Sequence, residues 1–276
     1  MPNSQYSGVV EVDFGGGVLT RLPFISCSLR RVDQYNTSQP ITQRGPQNYT
    51  LGQQKFEGGL TVPLYDNVFL YLITHWILSQ LSAGVAVTYH SGLSHLYYGV
   101  KVKTAQLSVQ PGGLVTISYD LEGLYRTVQS TAYSAAISSI SSTIAIPWHR
   151  TTMSGGGIVA ADISGFNLSF DTGLKEEWTN TSQYYSPVDN SAAWYRRPYA
   201  LYSGGLTTTG DIRFLNLQNS LVNGNQVTVT LGSNSLYLTR VVWNASEFPI
   251  AGPNAWLSNN IGFQSFGSIY YKSAHI

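Results

Sequence analysis

Charge is scarce in this chain. Only 11% of its 276 residues are Asp, Glu, Lys or Arg, less than half the ~25% usual for globular domains. The formal net charge is +1, which excludes a strongly basic nucleic-acid binder working by counterion release. Cysteine is nearly missing too. Cys27 stands alone, so there is no internal disulfide and no Cys-rich zinc site. Its run, Phe24-Ile25-Ser26-Cys27-Ser28-Leu29, reads as a strand in which the thiol acts as a small buried apolar group. Long apolar runs are also lacking: the longest, Val68 to Ile73, falls far short of the ~20 residues of a membrane span. The stretch Met1 to Tyr6 has neither the basic nor the apolar segment of a signal peptide. The expectation is a chain made in a cytoplasm, without membrane insertion.

Catalytic signatures are missing as well. No Gly-x-Ser-x-Gly elbow is present. Gly15-Gly16-Gly17 runs into Val-Leu-Thr, not into the phosphate-binding turn of a nucleotide fold. His75, in an apolar segment, has no second ligand at helical spacing. His90 and His95 flank a Ser-Gly turn that explains them without a metal. Glu176-Glu177 lies in a polar tract and reads as a solvated face. No enzyme activity, cofactor or metal is expected. The basic pairs Arg30-Arg31, Lys101/Lys103 and Arg196-Arg197 are matched by nearly as many acids and read as ion-pairing groups between subunits.

What replaces charge is Ser, Thr, Asn, Gln, Gly and Tyr, with 19 tyrosines and a normal 43% hydrophobic share. Interfaces deplete Lys, Glu and Asp and enrich Tyr and Trp, so this composition suits an assembly protein. Alternation is the dominant pattern. Leu60, Val62 and Leu64 alternate with Gly59, Thr61 and Pro63. In Leu114 to Leu121, Val115, Ile117, Tyr119 and Leu121 share one face while Leu114, Thr116, Ser118 and Asp120 share the other. Further strands are read at Ile25–Asp33, Val85–Tyr89, Leu96–Val109, Ile158–Phe170, Ile212–Leu215, Val227–Leu231, Leu236–Trp243 and Phe263–Tyr271. One helix is expected, Val68–Ser82, capped by Asp66 or Asn67 and stopped by Gly84. The corresponding place in the second half, Leu217–Asn225, has few apolar residues and reads as a remnant of that helix.

The order of parts occurs twice. Gly58 to Asn67 followed by Val85 to Tyr89 in the first half is matched to Thr209 to Asn216 followed by Val227 to Leu231 in the second. Each half has an early strand and then a long polar tract, Gln34–Gln54 or Thr172–Tyr199, read as loops that dock onto other protein. Between the halves lies a Ser/Thr/Gly-rich stretch. The expected division is a first β domain at 8–127, a linker at 128–156 and a second β domain at 157–276.

This order resembles the tail tube proteins of long-tailed, siphovirus-like bacteriophages, in their two-domain form. The resemblance implies a mainly β fold of two tandem β-sandwich or barrel domains, the first flanked by one α-helix. It implies a structural virion protein whose copies form stacked rings, trimeric and pseudo-hexameric for a two-domain chain. The stacked rings make a tail tube that encloses a tape-measure protein and later conducts DNA. Implied partners are further copies of the chain, the tape-measure protein, tail terminator and tail-tip or baseplate proteins, and double-stranded DNA passing without specific binding. The implied location is the virion tail, after the host cytoplasm. Asp120 is then a candidate lumen residue, and Tyr35, Ile41, Tyr49, Trp178, Tyr184, Tyr185 and Trp194 are candidate inter-ring contacts on the long loops. The competing reading is a carbohydrate- or receptor-binding β-sandwich that stacks sugars on surface Trp and Tyr.

Overall fold

The computed structural model describes residues 8–13, 19–38, 48–68, 70–79, 83–88, 93–123, 125–129, 137–139, 144–177, 193–196, 201–244 and 258–273. The described chain is mainly β. The first half holds β1 (Val9–Asp13), β2 (Leu19–Leu22), β3 (Ser26–Cys27), β4 (Arg30–Ser38) and β5 (Asn48–Pro63). A helical segment follows, and then β6 (Ala83–Thr88), β7 (Ser94–Val109), β8 (Thr116–Gly123), β9 (Tyr125–Gln129) and β10 (Ile137–Ser139). The second half holds β11 (Thr151–Gly155), β12 (Gly165–Asp171), β13 (Leu174–Glu177), β14 (Ala193–Arg196) and β15 (Leu201–Thr209). Helix α1 (Asp211–Ser220) separates these from β16 (Asn225–Leu231), β17 (Asn234–Trp243), β18 (Ser258–Ser265) and β19 (Ile269–Ser273).

The halves repeat each other pairing by pairing. β1 pairs with β6, β6 with β7, β7 with β8 and β9, and β8 with β5. In the same order β11 pairs with β16, β16 with β17, β17 with β18 and β19, and β18 with β15. All of these ladders are antiparallel. The register identifies the true repeat: Gly58-Gly59-Leu60-Thr61 and Gly204-Gly205-Leu206-Thr207 take the same places, opposite β8 and β18. The expected match of Gly58–Asn67 to Thr209–Asn216 is therefore out of register. The glycines are needed for closeness. A Cβ on Gly58 would lie 2.3 Å from the Ser28 carbonyl oxygen, and one on Gly204 would lie 2.3 Å from that of Asn167. Neither gap accommodates a side chain. A second shared point is the bend in the long strand, where Gly99 (φ 61°) and Arg240 (φ 54°) both take the left-handed region. The bend lets the start of each strand serve one sheet and its end another. Glycine adopts it without strain, whereas arginine does not.

The helices differ from expectation. Among the described residues of Val68–Ser82 there is no α-helix: a 3-10 turn at Asp66–Val68 leads into a π-helix, Leu70–Leu78, closed by the Ser79 N–H donating to the Thr74 carbonyl at 2.8 Å. It buries Leu72, Ile73, Trp76 and Ile77, each contributing about 1.5–3 kcal/mol by burial. The Tyr119 hydroxyl donates to its Leu72 carbonyl at 2.9 Å, and Trp76 packs edge-on to the Tyr119 ring. In the second half Ile212–Leu215 is not a strand. It is the start of α1, the regular helix, which buries only Phe214 and Leu217 and leaves Ile212 75% exposed.

The long tracts are also partly strand. Gln34–Ser38 and Asn48–Gln54 belong to the β4–β5 hairpin, which carries a bulge between Asp33 and Tyr35. Leu174–Glu177 pairs with Ala193–Arg196 in the second tract. The alternation of Leu114–Leu121 holds, with Val115, Ile117, Tyr119 and Leu121 buried and Ser118 and Asp120 exposed. Residues 144–155, between the halves, lie within the fold. The Ile146 N–H donates to Leu64 and its carbonyl accepts from Val115, both at 2.8 Å, and β11 follows directly.

Candidate functional site

The feature that joins the halves is a ladder. The end of β7 pairs with β8 on one side and with β12 on the other, so both halves belong to one sheet. The register runs from Thr104↔Asp171 to Val109↔Phe166. Thr172 closes it: its N–H donates to the Lys103 carbonyl at 3.1 Å and its hydroxyl reaches the Val102 carbonyl at 2.8 Å. Across the sheet the order is β4–β5–β8–β7–β12–β15–β18–β17.

Its two faces differ because side chains alternate. On the buried face one row crosses both halves: Val62, Ile117, Leu107, Leu168, Gly204, Phe263 and Trp243. Phe263 occupies the space that Gly204 leaves, and the main core cluster runs from Val10 to Phe263 across both halves. The adjacent row on the free face reads Thr61, Ser118, Gln106, Ser169, Ser203 and Gln264. From β5 to β18 it contains only hydroxyls and amides, with Thr61 and Ser118 hydrogen-bonded at 3.0 Å, and on β17 it ends at Val242.

Most of the charge on this face lies in the first half, where it is compensated; in the second half Asp171 shares the face of Ser169 and accepts from the Gly173 N–H at 2.8 Å. Glu57 and Glu122 stand opposite each other, a destabilising arrangement in isolation. Arg30 meets Glu57 at 3.2 Å, Lys103 meets Glu122 at 3.1 Å, and Lys55 approaches both acids. Lys103 and Arg30 thus each meet an acid of their own chain. Asp120 is exposed beside this cluster. Partial burial pushes its carboxyl above the usual range; Lys103 opposes that shift and Glu122 and Glu57 add to it. The second half carries Ser169, Ser203, Gly262 and Gln264 in the places of Arg30, Glu57, Asp120 and Glu122.

One residue expected only as a helix cap bridges the halves. Asp66 of the first half accepts from the Ser233 N–H at 3.0 Å and the Asn234 amide at 3.2 Å, and Arg150 approaches it at 3.6 Å. A lone aspartate after a strand looks like a helix cap in sequence, and only the fold shows that it holds the β16–β17 turn.

Of the other candidates, Tyr35 and Tyr49 lie on the β4–β5 hairpin, opposite Leu51 and Thr37, and Trp194 lies on β14 opposite Glu176. Ile41, Trp178, Tyr184 and Tyr185 lie outside the described residues. Among the described residues no group of three or more His, Cys, Asp or Glu side chains is placed to hold a metal. No helix among them is long and apolar enough to cross a membrane.

A comparison with curated proteins gives no match. A family model described as phage tail tube protein matches residues 3–254. Membership implies a structural, non-enzymatic role, self-assembly into stacked rings and a place in the virion tail. With its β-rich halves joined into one sheet, the chain belongs to the phage tail tube protein family.

Proposed function

We propose that this chain is a two-domain tube subunit supplying two consecutive positions of a six-position ring, so that three copies close it. The β7–β12 ladder carries the reading. It joins one module edge to edge with the next, and open strand edges call for such pairing. The modules are residues 8–127 and 157–276, with 128–156 between them lending β11 to the second.

Rings stack to enclose the tape-measure protein, and the finished tube conducts double-stranded DNA. The row from Thr61 to Gln264 faces the lumen, with Asp120 at its charged margin. A wall of hydroxyls and amides with internally compensated ions offers a polyanion few strong contacts, as passage requires. The hairpins β4–β5 and β13–β14 project toward the neighbouring ring with Tyr35, Tyr49 and Trp194 on their strands, and Ile41, Trp178, Tyr184 and Tyr185, outside the described residues, belong to the same tracts in sequence. Terminator and tip or baseplate proteins meet the two ends of the stack. Before assembly the subunits are held in the host cytoplasm. Electron microscopy of the purified chain tests the reading: rings or tubes are expected, and monodisperse monomers that bind glycans overturn it.

A further inference from the structure

Besides the shared ladder, the halves meet through the helical segment of the first. Asp66, at its start, accepts from the Ser233 N–H at 3.0 Å and the Asn234 amide at 3.2 Å. The Tyr271 hydroxyl donates to the Asn234 side-chain oxygen at 3.0 Å, and the π-helix lies against β19. The start of one half's helix is thus seated on the β16–β17 turn of the other and on the strand beside it. A closed ring repeats one head-to-tail contact. Helix α1 of the second half then faces the β6–β7 turn and β9 of the next first half.

The repeat says which residues stand at that second contact. Counted on from Gly-Gly-Leu-Thr, Ile212 takes the position of Asp66. Counted back from the bends at Gly99 and Arg240, Leu93 takes the position of Asn234. Val128 takes that of Tyr271, because it stands opposite His95 as Tyr271 stands opposite Leu236, equally far before the bends. Each polar group of the inner contact is therefore matched by an apolar one. Asn234 is buried, whereas Ile212 is 75% exposed, Val128 53% and Leu93 42%; Leu215, one turn along from Ile212, is 41% exposed. A single exposed apolar residue is ordinary. Here both sides of one contact change together, Asp66 with Asn234 becoming Ile212 with Leu93. A change on one side alone would bury a polar group without its partner.

We propose that Ile212 and Leu215 of α1 dock on Leu93 and Val128 of a second copy, as the start of the first half's helix docks on Asn234 and Tyr271. This rests on the ring reading and names side chains of its junction. The two contacts differ in chemistry because they form at different times. The inner one forms as the chain folds, and its directional hydrogen bonds fix how the halves sit. The outer one forms between folded copies, where burial of apolar surface drives association and tolerates small misalignment.

Cross-linking tests the junction in the full-length protein. Ile212→Cys and Leu93→Cys are combined with Cys27→Ser, and a short bismaleimide is added as the protein assembles. In the template the matched side chains touch at 3.2 Å, so the reagent spans the pair. Covalent multimers up to the ring size are expected, at about tenfold or more over a control that carries Val222→Cys, beyond the far end of α1, in place of Ile212→Cys. Rings or tubes without that preference overturn the junction and leave the ring reading standing. Cross-links confined to monomers also overturn it, since the two patches would then meet within one chain. Failure of the unaltered protein to form rings removes both readings. If the cysteine variant does not assemble, the polar pair decides. Ile212→Asp should lower the ring fraction about tenfold or more while the unassembled chain melts as the parent does, because the residue is exposed there. Adding Leu93→Asn rebuilds the inner contact at the outer place and should restore rings. Normal assembly of Ile212→Asp, or no restoration by Leu93→Asn, overturns the junction.

Discussion

The two halves share a pairing diagram and differ in what they hang on it. The first uses a π-helix that buries Leu72, Ile73, Trp76 and Ile77, and it carries the ion-paired cluster of the free face. The second uses a regular helix anchored by Phe214 and Leu217 and is neutral at the corresponding positions. What persists is the backbone: which strand meets which, where the long strand bends, and where glycine lets two strands touch. What varies is the covering of the sheet and the charge of its free face. Neutral substitutions on an exposed strand face cost little, whereas a lost close approach disturbs every ladder around it.

Gly204→Ala should have the largest effect. Its Cβ meets the Asn167 carbonyl and the Phe263 ring at 2.3 and 2.6 Å, and a loss of about 3 kcal/mol or more is expected in denaturant unfolding. Gly58→Ala should follow closely, because it meets the Ser28 carbonyl at the same 2.3 Å; if it is tolerated, the halves do not share this constraint. Asp66→Ala comes next. It leaves the Ser233 N–H without its acceptor, and a loss of about 1–3 kcal/mol is expected.

Arg240→Gly should move the other way. It gives the second bend the residue that the first already has at Gly99. A gain of about 0.5 kcal/mol is expected after the chain-entropy cost of glycine, read as a small rise in Tm.

Asp120→Asn should have the smallest effect, and it depends on pH. The folded carboxyl titrates above its ordinary value, first through burial. The stability tied to its protonated form is therefore present below the ordinary carboxylate pKa and lost as pH rises through the raised one. Asparagine mimics the protonated form at every pH. The variant should melt slightly higher than the parent at pH 7 and equally at pH 3. The neutral counterpart, Gly262, gives the second half no such dependence.

Much of the wall was legible because one buried face imposes period two: Val115, Ile117, Tyr119 and Leu121 announced β8 and the polarity of Asp120. The hairpins were not, since Gln34-Tyr35-Asn36-Thr37-Ser38 and Asn48-Tyr49-Thr50 carry no apolar alternation and resemble loops. Helix α1 was hidden because its exposed Ile212 and Leu215 blur the stripe that Phe214 and Leu217 would otherwise mark. The π-helix was visible as a helix, but its apolar run does not encode the wider turn. The tetrapeptide Gly-Gly-Leu-Thr stands at 58–61 and 204–207, whereas the Asp-containing segments resemble each other out of register. The sequence marked Asp66 as a helix cap but not as a bridge, because its partners lie more than 160 residues away.

Native mass spectrometry of single rings tests the central claim most directly. If each chain supplies two joined modules to a six-position ring, every ring holds three chains. Six chains per ring would contradict the account.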